Sequence, residues 1–197
     1  MNRALIPDGL LISVFFVTCS LVGFAQQDPQ FTMWQFDRLS VNPAMSGIDR
    51  MHCITAIHRD QWDGLAKDPK TYLFNYSGMF GEKQNIGFGS TVYSEVLGQQ
   101  QNTVIRFSPS YHLALSDGSF FAAGASIGFY QAKLGTNWVF IDAGDPTIPS
   151  NTRSQGGADI GLGVNFYKPG KYYVGLSSTH LAGPNLDDVG IQMVRHY

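Results

Sequence analysis

Residues 103–115 read TVIRFSPSYHLAL, and their side chains sort into two rows. Ile105, Phe107, Tyr111, Leu113 and Leu115 share one face, while Arg106, Ser108, Ser110 and His112 share the other. Successive side chains of an extended chain point to opposite sides, so this period of two predicts a β-strand with one greasy and one wet surface. A turn at Ser116-Asp117-Gly118 follows, and Phe121, Ala123, Ala125, Ile127 and Phe129 then continue an apolar face. Small residues, Ala122, Gly124, Ser126 and Gly128, oppose them, and the two segments together predict an antiparallel hairpin.

The same rhythm runs outward in both directions. From Ala158 to Phe166, Ile160, Leu162 and Val164 oppose Asp159, Gly161, Gly163 and Asn165. Lys168-Pro169-Gly170-Lys171 supplies a turn, after which Tyr172, Val174 and Leu176 oppose Tyr173, Gly175, Ser177 and Thr179. Met51 to His58, Thr71 to Phe80 and Ile86 to Tyr93 are earlier strand candidates, and no stretch after residue 30 has helical amphipathicity. The predicted class is all-β with seven strands, arranged as an antiparallel transmembrane β-barrel over residues 51–197. Alternation alone also fits a soluble sandwich. Strands of about 9–11 residues, however, suit a tilted membrane barrel better than soluble sheets, where about 5–6 is common. Gly and Ser in the polar rows fit a crowded lumen, and Tyr72, Tyr76, Tyr93, Tyr111, Tyr167 and Tyr172 are expected to form interfacial girdles. Bacterial single-chain barrels have even strand numbers from about eight upward, so seven strands predict a barrel that is incomplete or that closes with another chain.

Charged residues are 14% of the 197, against 13% aromatics and 22 glycines, which is poor in charge for a soluble protein. The formal net charge of −2 gives no basic footprint for nucleic acid. Leu10 to Ala25 (LLISVFFVTCSLVGFA) carries no charge and follows Arg3. At about 1.5 Å per residue it spans roughly 24 Å as a helix, short of a bilayer core of about 30 Å. It reads as a signal peptide over residues 1–25, with Gly23 and Ala25 as the small residues before a cut ahead of Gln26. An N-terminal arm occupies residues 26–50. Phe16-Val17-Thr18 before Cys19 does not fit a lipobox, and Cys53 alone remains after cleavage, so no internal disulfide or cysteine-based metal site is expected.

Catalytic motifs are missing from the sequence: it contains no HExxH, GxSxG or Walker A pattern, and neither Gly87-Phe88-Gly89 nor Gly161-Leu162-Gly163 precedes a helix pattern. No cofactor is expected. His52 and His58 would stand roughly 20 Å apart on one strand, too far to share a metal. Asp142-Ala143-Gly144-Asp145-Pro146 resembles a calcium loop only loosely and serves equally well as a polar turn. Arg59-Asp60-Gln61-Trp62 offers a guanidinium and an indole to a partner, or an ion-pair network at a barrel rim. Hydrolysis at the rim would need Asp60 or Asp63 near 3 Å from His58 and a second acidic group across the rim.

From Asp28 to Gly183 the order of motifs resembles the PorP/SprF membrane proteins of the type IX secretion and gliding machinery of Bacteroidota. The resemblance rests on Gln27-Asp28-Pro29-Gln30-Phe31, Val41-Asn42-Pro43-Ala44 with Ser46-Gly47, and Arg59-Asp60-Gln61-Trp62-Asp63-Gly64-Leu65. Pro69-Lys70-Thr71, Ile86-Gly87-Phe88-Gly89, Asp142 with Asp145-Pro146, and Tyr173-Val174-Gly175-Leu176-Ser177 before His180-Leu181 extend it. Met45, where an aromatic is usual, and Lys70 depart from the pattern, and family members are typically longer. The resemblance implies a non-enzymatic outer-membrane barrel that helps export or surface-attach cargo proteins. Its partners would be the lipid bilayer, the secretion and gliding machinery and the cargo, with no small-molecule substrate. A passive porin is the alternative. Carried over by position, the motif residues are Asn42, Pro43, Arg59, Gln61, Trp62, Pro69, Thr71, Asp142, Asp145 and Pro146. The Asn42-Pro43 and Arg59-Gln61-Trp62 segments are expected to pack together at one rim and present the arm to a partner.

Overall fold

The computed structural model of the chain describes residues 34–62, 64, 67–136, 151–182, 185–186 and 191–192. The signal segment, Asp63 and the Asp142-to-Pro146 motif lie outside these residues. Strands β1 (Cys53–Asp60), β2 (Lys70–Phe80), β3 (Ile86–Leu97), β4 (Gln100–Ala114), β5 (Phe120–Leu134), β6 (Arg153–Lys168) and β7 (Tyr172–Ser178) form one antiparallel meander in which each pairs with its sequence neighbour. The seven-stranded sheet curls into a half-barrel, so the all-β expectation holds. A short pair, β8 (Asn185–Leu186) and β9 (Ile191–Gln192), follows.

Several strands outrun the alternation that announced them. β4 and β5 have 15 residues each and β6 has 16, about 50 Å at roughly 3.3 Å per residue. β5 ends at Leu134 and β6 starts at Arg153, five residues before the alternation that runs from Ala158. All the connections at the β1-entry end are short turns, at 81–85, 115–119 and 169–171. At the opposite end, longer connections at 61–69 and 135–152 flank the tight Gly98-Gln99 turn.

The two faces are inverted relative to a water-soluble domain. Ile105, Phe107, Leu113, Phe121, Ile127, Phe129, Ile160, Leu162 and Phe166 are all on the exposed, convex side. Asn75, Thr91, Asn102, Arg106, Ser108, Ser110, His112, Ser126, Asp159 and Asn165 are buried on the concave side. An exposed apolar sheet flank with a polar interior is the arrangement expected where the outer solvent is acyl chain. Two small apolar clusters close the polar interior at either end. One is Leu73, Tyr93, Val104, Tyr130 and Ala132, and the other joins Ala44, Met45 and Ile48 to Ala122 and Tyr167.

The expected tyrosine girdle is corrected in part. Tyr72, Tyr111 and Tyr172 are exposed, but Tyr93 and Tyr167 are buried inside. The cause is parity: Tyr93 shares a face with Thr91 and Glu95, and Tyr167 with Asn165, all lumen-facing.

Candidate functional site: the plugged interior of the half-barrel

The interior is filled mainly by residues 37–48 of the segment running from Trp34 to Arg50, which Pro43 and Gly47 keep from forming one long helix, so that it turns repeatedly. A 3₁₀ turn (Trp34–Phe36), one helical turn α1 (Arg38–Val41) and a second 3₁₀ turn (Pro43–Met45) succeed one another. Asn42 caps the second turn by accepting from the Ala44 N–H at 2.8 Å, and Pro43 stands at its first position, where its missing N–H costs nothing. Arg38 donates two hydrogen bonds to Asp49, at 2.9 and 2.8 Å, tying the ends of the segment together.

From Gly47 back to Val41 this segment crosses the sheet and engages six strands in turn. The Gly47 N–H donates to Ser77 Oγ of β2 at 2.8 Å. Ser46 lies over Gly87 of β3 and exchanges bonds with Ser110 of β4, Oγ to Oγ at 2.6 Å and Ser110 Oγ to the Ser46 carbonyl at 2.9 Å. Pro43 and Ala44 rest on Gly124 of β5, and Asn42 rests on Gly163 of β6 while donating to the Val164 carbonyl at 3.1 Å. Ser177 of β7 donates to the Val41 carbonyl at 2.7 Å. Gly87, Ser110, Gly124, Gly163 and Ser177 stand level with one another in the strand register. This row is thus a socket of small residues made for a backbone. A Cβ at Gly87 would overlap the Ser46 carbonyl, one at Gly163 would overlap Asn42 Oδ1, and one at Gly124 would sit 2.6 Å from Ala44 N. His112 completes the seat, with Nε2 2.8 Å from the Ser46 carbonyl and Nδ1 2.8 Å from the Tyr167 hydroxyl.

Beyond the socket lies a charged layer. Asn75, Thr91, Arg106, Gly128 and Asp159 are level across β2 to β6. Arg106 Nε and Nη2 both donate to Asp159 Oδ2, and His180 Nδ1 is 3.0 Å from Asp159 Oδ1. These three side chains are 5%, 1% and 1% exposed, so the group survives in the interior only because its charges meet. Gly128, on the strand between them, leaves Arg106 a clear path to Asp159. From the plug, Asp37 Oδ1 accepts from Ser40 Oγ at 2.6 Å and Asn75 Nδ2 at 2.7 Å. Burial pushes the Asp37 carboxyl up, a shift those two hydrogen bonds and the Arg106 charge only partly oppose.

The motif residues divide between two places. Asn42 and Pro43 are buried in the socket. Arg59, Gln61, Trp62, Pro69 and Thr71 gather at the far end of β1 and β2, where Arg59 is level with Thr71 and the Gln61 N–H donates to the Pro69 carbonyl at 3.0 Å. The expectation that the two segments pack together is therefore corrected: the socket row lies toward the short-turn end, and Arg59 to Trp62 lie at the long-loop end. Trp62, held at φ 59, is 69% exposed. His58 Nε2 is 3.9 Å from Asp60 Oδ2 on an exposed surface, wider than a proton-relay pair requires. Arg106, Asp159, His180 and Asp37 were not singled out from the sequence as a site. The available signal was that Arg106 and Asp159 are opposite charges among neutral neighbours in the inward rows of their strands.

With this geometry in place, residues 23–197 match the sequence model of the type IX secretion system membrane protein PorP/SprF family, and the chain belongs to that family. No curated protein and no solved structure matches it.

Proposed function

We propose, on the premise of that membership, that the chain is an outer-membrane component of the type IX secretion machinery that acts by binding, supporting export or surface attachment of cargo proteins. Residues 1–25 would serve as a cleaved export signal, residues 26–50 as an N-terminal arm whose described part, 34–50, folds into the interior, and 51–197 as the barrel domain. The observation that carries this reading is the inverted sheet: bulky apolar residues on the convex side, and Arg106, Asp159 and His180 within. In outer-membrane barrels short turns face the periplasm and longer loops the exterior. By that rule the plugged end is periplasmic, and the Arg59-to-Trp62 loop faces outward. The Asn42-Pro43 pair then works as a fold device, whereas Trp62 is a contact residue for machinery or cargo. A concavity filled by its own backbone argues against a passive porin. Work in gliding would follow from service to the same machinery. Two measurements test the reading in the native host. The protein should fractionate with outer membranes and show heat-modifiable gel mobility, and deleting its gene should remove a defined set of surface proteins. Restoration of that set by the wild-type gene and not by a Trp62→Ala, Arg59→Ala double variant is the expected result. An unchanged surface proteome after deletion would refute it.

A further inference from the structure

At the short-turn end, between the plug and the β6–β7 hairpin, lies a cavity of about 620 Å³. Arg38, Arg50, Lys168 and Lys171 line it with a single carboxylate, Asp49. Arg38 is already engaged by Asp49, and Lys168 lies 3.7 Å from Asp117, outside the cavity. Arg50 and Lys171 keep charge in excess. The Arg50 guanidinium lies 4.6 Å from the centre of the Phe120 ring, and its Nη1 is buried with no hydrogen-bond partner among the described residues. That nitrogen is sealed from the cavity, so it is the net positive charge of Arg50, beside that of Lys171, that an entering ligand meets, and a carboxylate is the group that complements it. Tyr167 and Tyr173 add amphipathic walls, and both stand on the lumen side of the hairpin, away from the convex face that would meet lipid.

We infer that this cavity binds a carboxylate-rich peptide segment of a partner protein. Its volume falls within the ordinary range of ligand pockets, about 300–1,000 Å³, and its inward position favours a peptide over a bilayer headgroup. The inference rests on the proposed reading of the chain as a membrane half-barrel whose plugged end opens to water.

The test uses the full chain in lipid nanodiscs and a dye-labelled hexaglutamate peptide followed by fluorescence anisotropy. Saturable binding that weakens about tenfold in Lys171→Glu and in Arg50→Gln is expected, with Lys133→Glu, at the opposite end of β5, binding like wild type. Absence of saturable binding by a sample with heat-modifiable mobility overturns the peptide site and leaves the barrel reading intact. An equal loss in Lys133→Glu also overturns it, since attraction would then be general. Binding to anionic vesicles without binding to the peptide overturns it in favour of a headgroup. A sample that never gains heat-modifiable mobility overturns the half-barrel and this site together.

Discussion

Replacing Gly124 with alanine should loosen the plug, and the structure sets the size of the effect. The added Cβ would lie 2.6 Å from Ala44 N and 2.7 Å from both Ala44 Cα and Pro43 C, whereas ordinary contact begins at 3.4 Å. The obstacle is backbone, so it must retreat by about 0.8 Å (3.4 − 2.6). That retreat stretches the Asn42 to Val164 bond and the Ser46 to Ser110 bond, now 3.1 and 2.6 Å, towards the limit of useful geometry. Overpacking costs about 1–3 kcal/mol and each lost hydrogen bond about 0.5–1.5, while alanine in a strand regains about 0.5–1 over glycine. The net is a loss of about 1–5 kcal/mol in plug docking. At Gly163 the overlapping atom is the end of the Asn42 side chain, so Gly163→Ala should act mainly by displacing that side chain from the Ala44 N–H and the Val164 carbonyl rather than by pushing backbone. In an Asn42→Ala background its cost should nearly vanish, a coupling that a double-mutant cycle reads directly. The assay is urea unfolding in lipid vesicles with hydrogen exchange of residues 38–50. Gly98→Ala is the control: it meets nothing within 4 Å and carries only the strain of φ +61. A Gly124→Ala protein with wild-type stability and equal protection of residues 38–50 would show that the glycine row is not the seat of the plug.

Three further outcomes are expected. Arg106→Ala leaves Asp159 buried with only His180 to meet its charge and should lower unfolding stability by about 3–5 kcal/mol; replacing both, as Arg106→Met with Asp159→Leu, should cost far less, and equal losses in the urea titration would count against a paired layer. Because the folded Asp37 carboxyl lies above its usual 3.8, the folded state holds the proton more tightly; stability should therefore fall as pH rises from 3.8 through that raised value, and exchange protection of residues 38–50, taken relative to intrinsic rates at each pH, should lose this dependence in Asp37→Asn. Ile127→Arg, at a site 61% exposed on the convex side, should cost about 2–4 kcal/mol of membrane folding if lipid covers it; a neutral result in vesicle folding yield would place that face in water.

The strands were legible because each of their two rows meets one kind of surroundings. Reading stopped where that ceased to hold. Beyond the apolar band, Gln101, Thr103, Gln131, Lys133 and Ser154 occupy the outward row, so the ends of β4 and β6 show polar residues on both sides, while at the end of β5 the alternation is reversed, with Tyr130, Ala132 and Leu134 inside. Tyr93 and Tyr167 were misplaced because a preference of tyrosine for interfaces was set above the parity of the strands that hold them. The plug is harder still. Its partners are glycines 40 to 130 positions away, as from Ser46 to Gly87 or Asn42 to Gly163, and a glycine in a strand does not announce what lies on it. The Asn42-Pro43 pair was visible as a motif, but its mate was sought at Arg59 and Trp62 rather than in the glycine row.

The inner row of β5, Ala122, Gly124, Ser126 and Gly128, ties these features to one another. A soluble sandwich with the same alternation would fill a central inward row with large apolar side chains, since that row would be its core. Here the row is the smallest in the sheet, and two of its glycines have separate structural duties: Gly124 admits the Pro43-Ala44 backbone, and Gly128 lets Arg106 reach across to Asp159. Bulk has moved to the opposite face of the same strand, where Phe121, Ile127 and Phe129 stand exposed. Small residues inside and large apolar ones outside make poor sense if water surrounds the sheet. They make good sense if the hydrophobic contact is with lipid and the interior is occupied by the chain's own N-terminal segment.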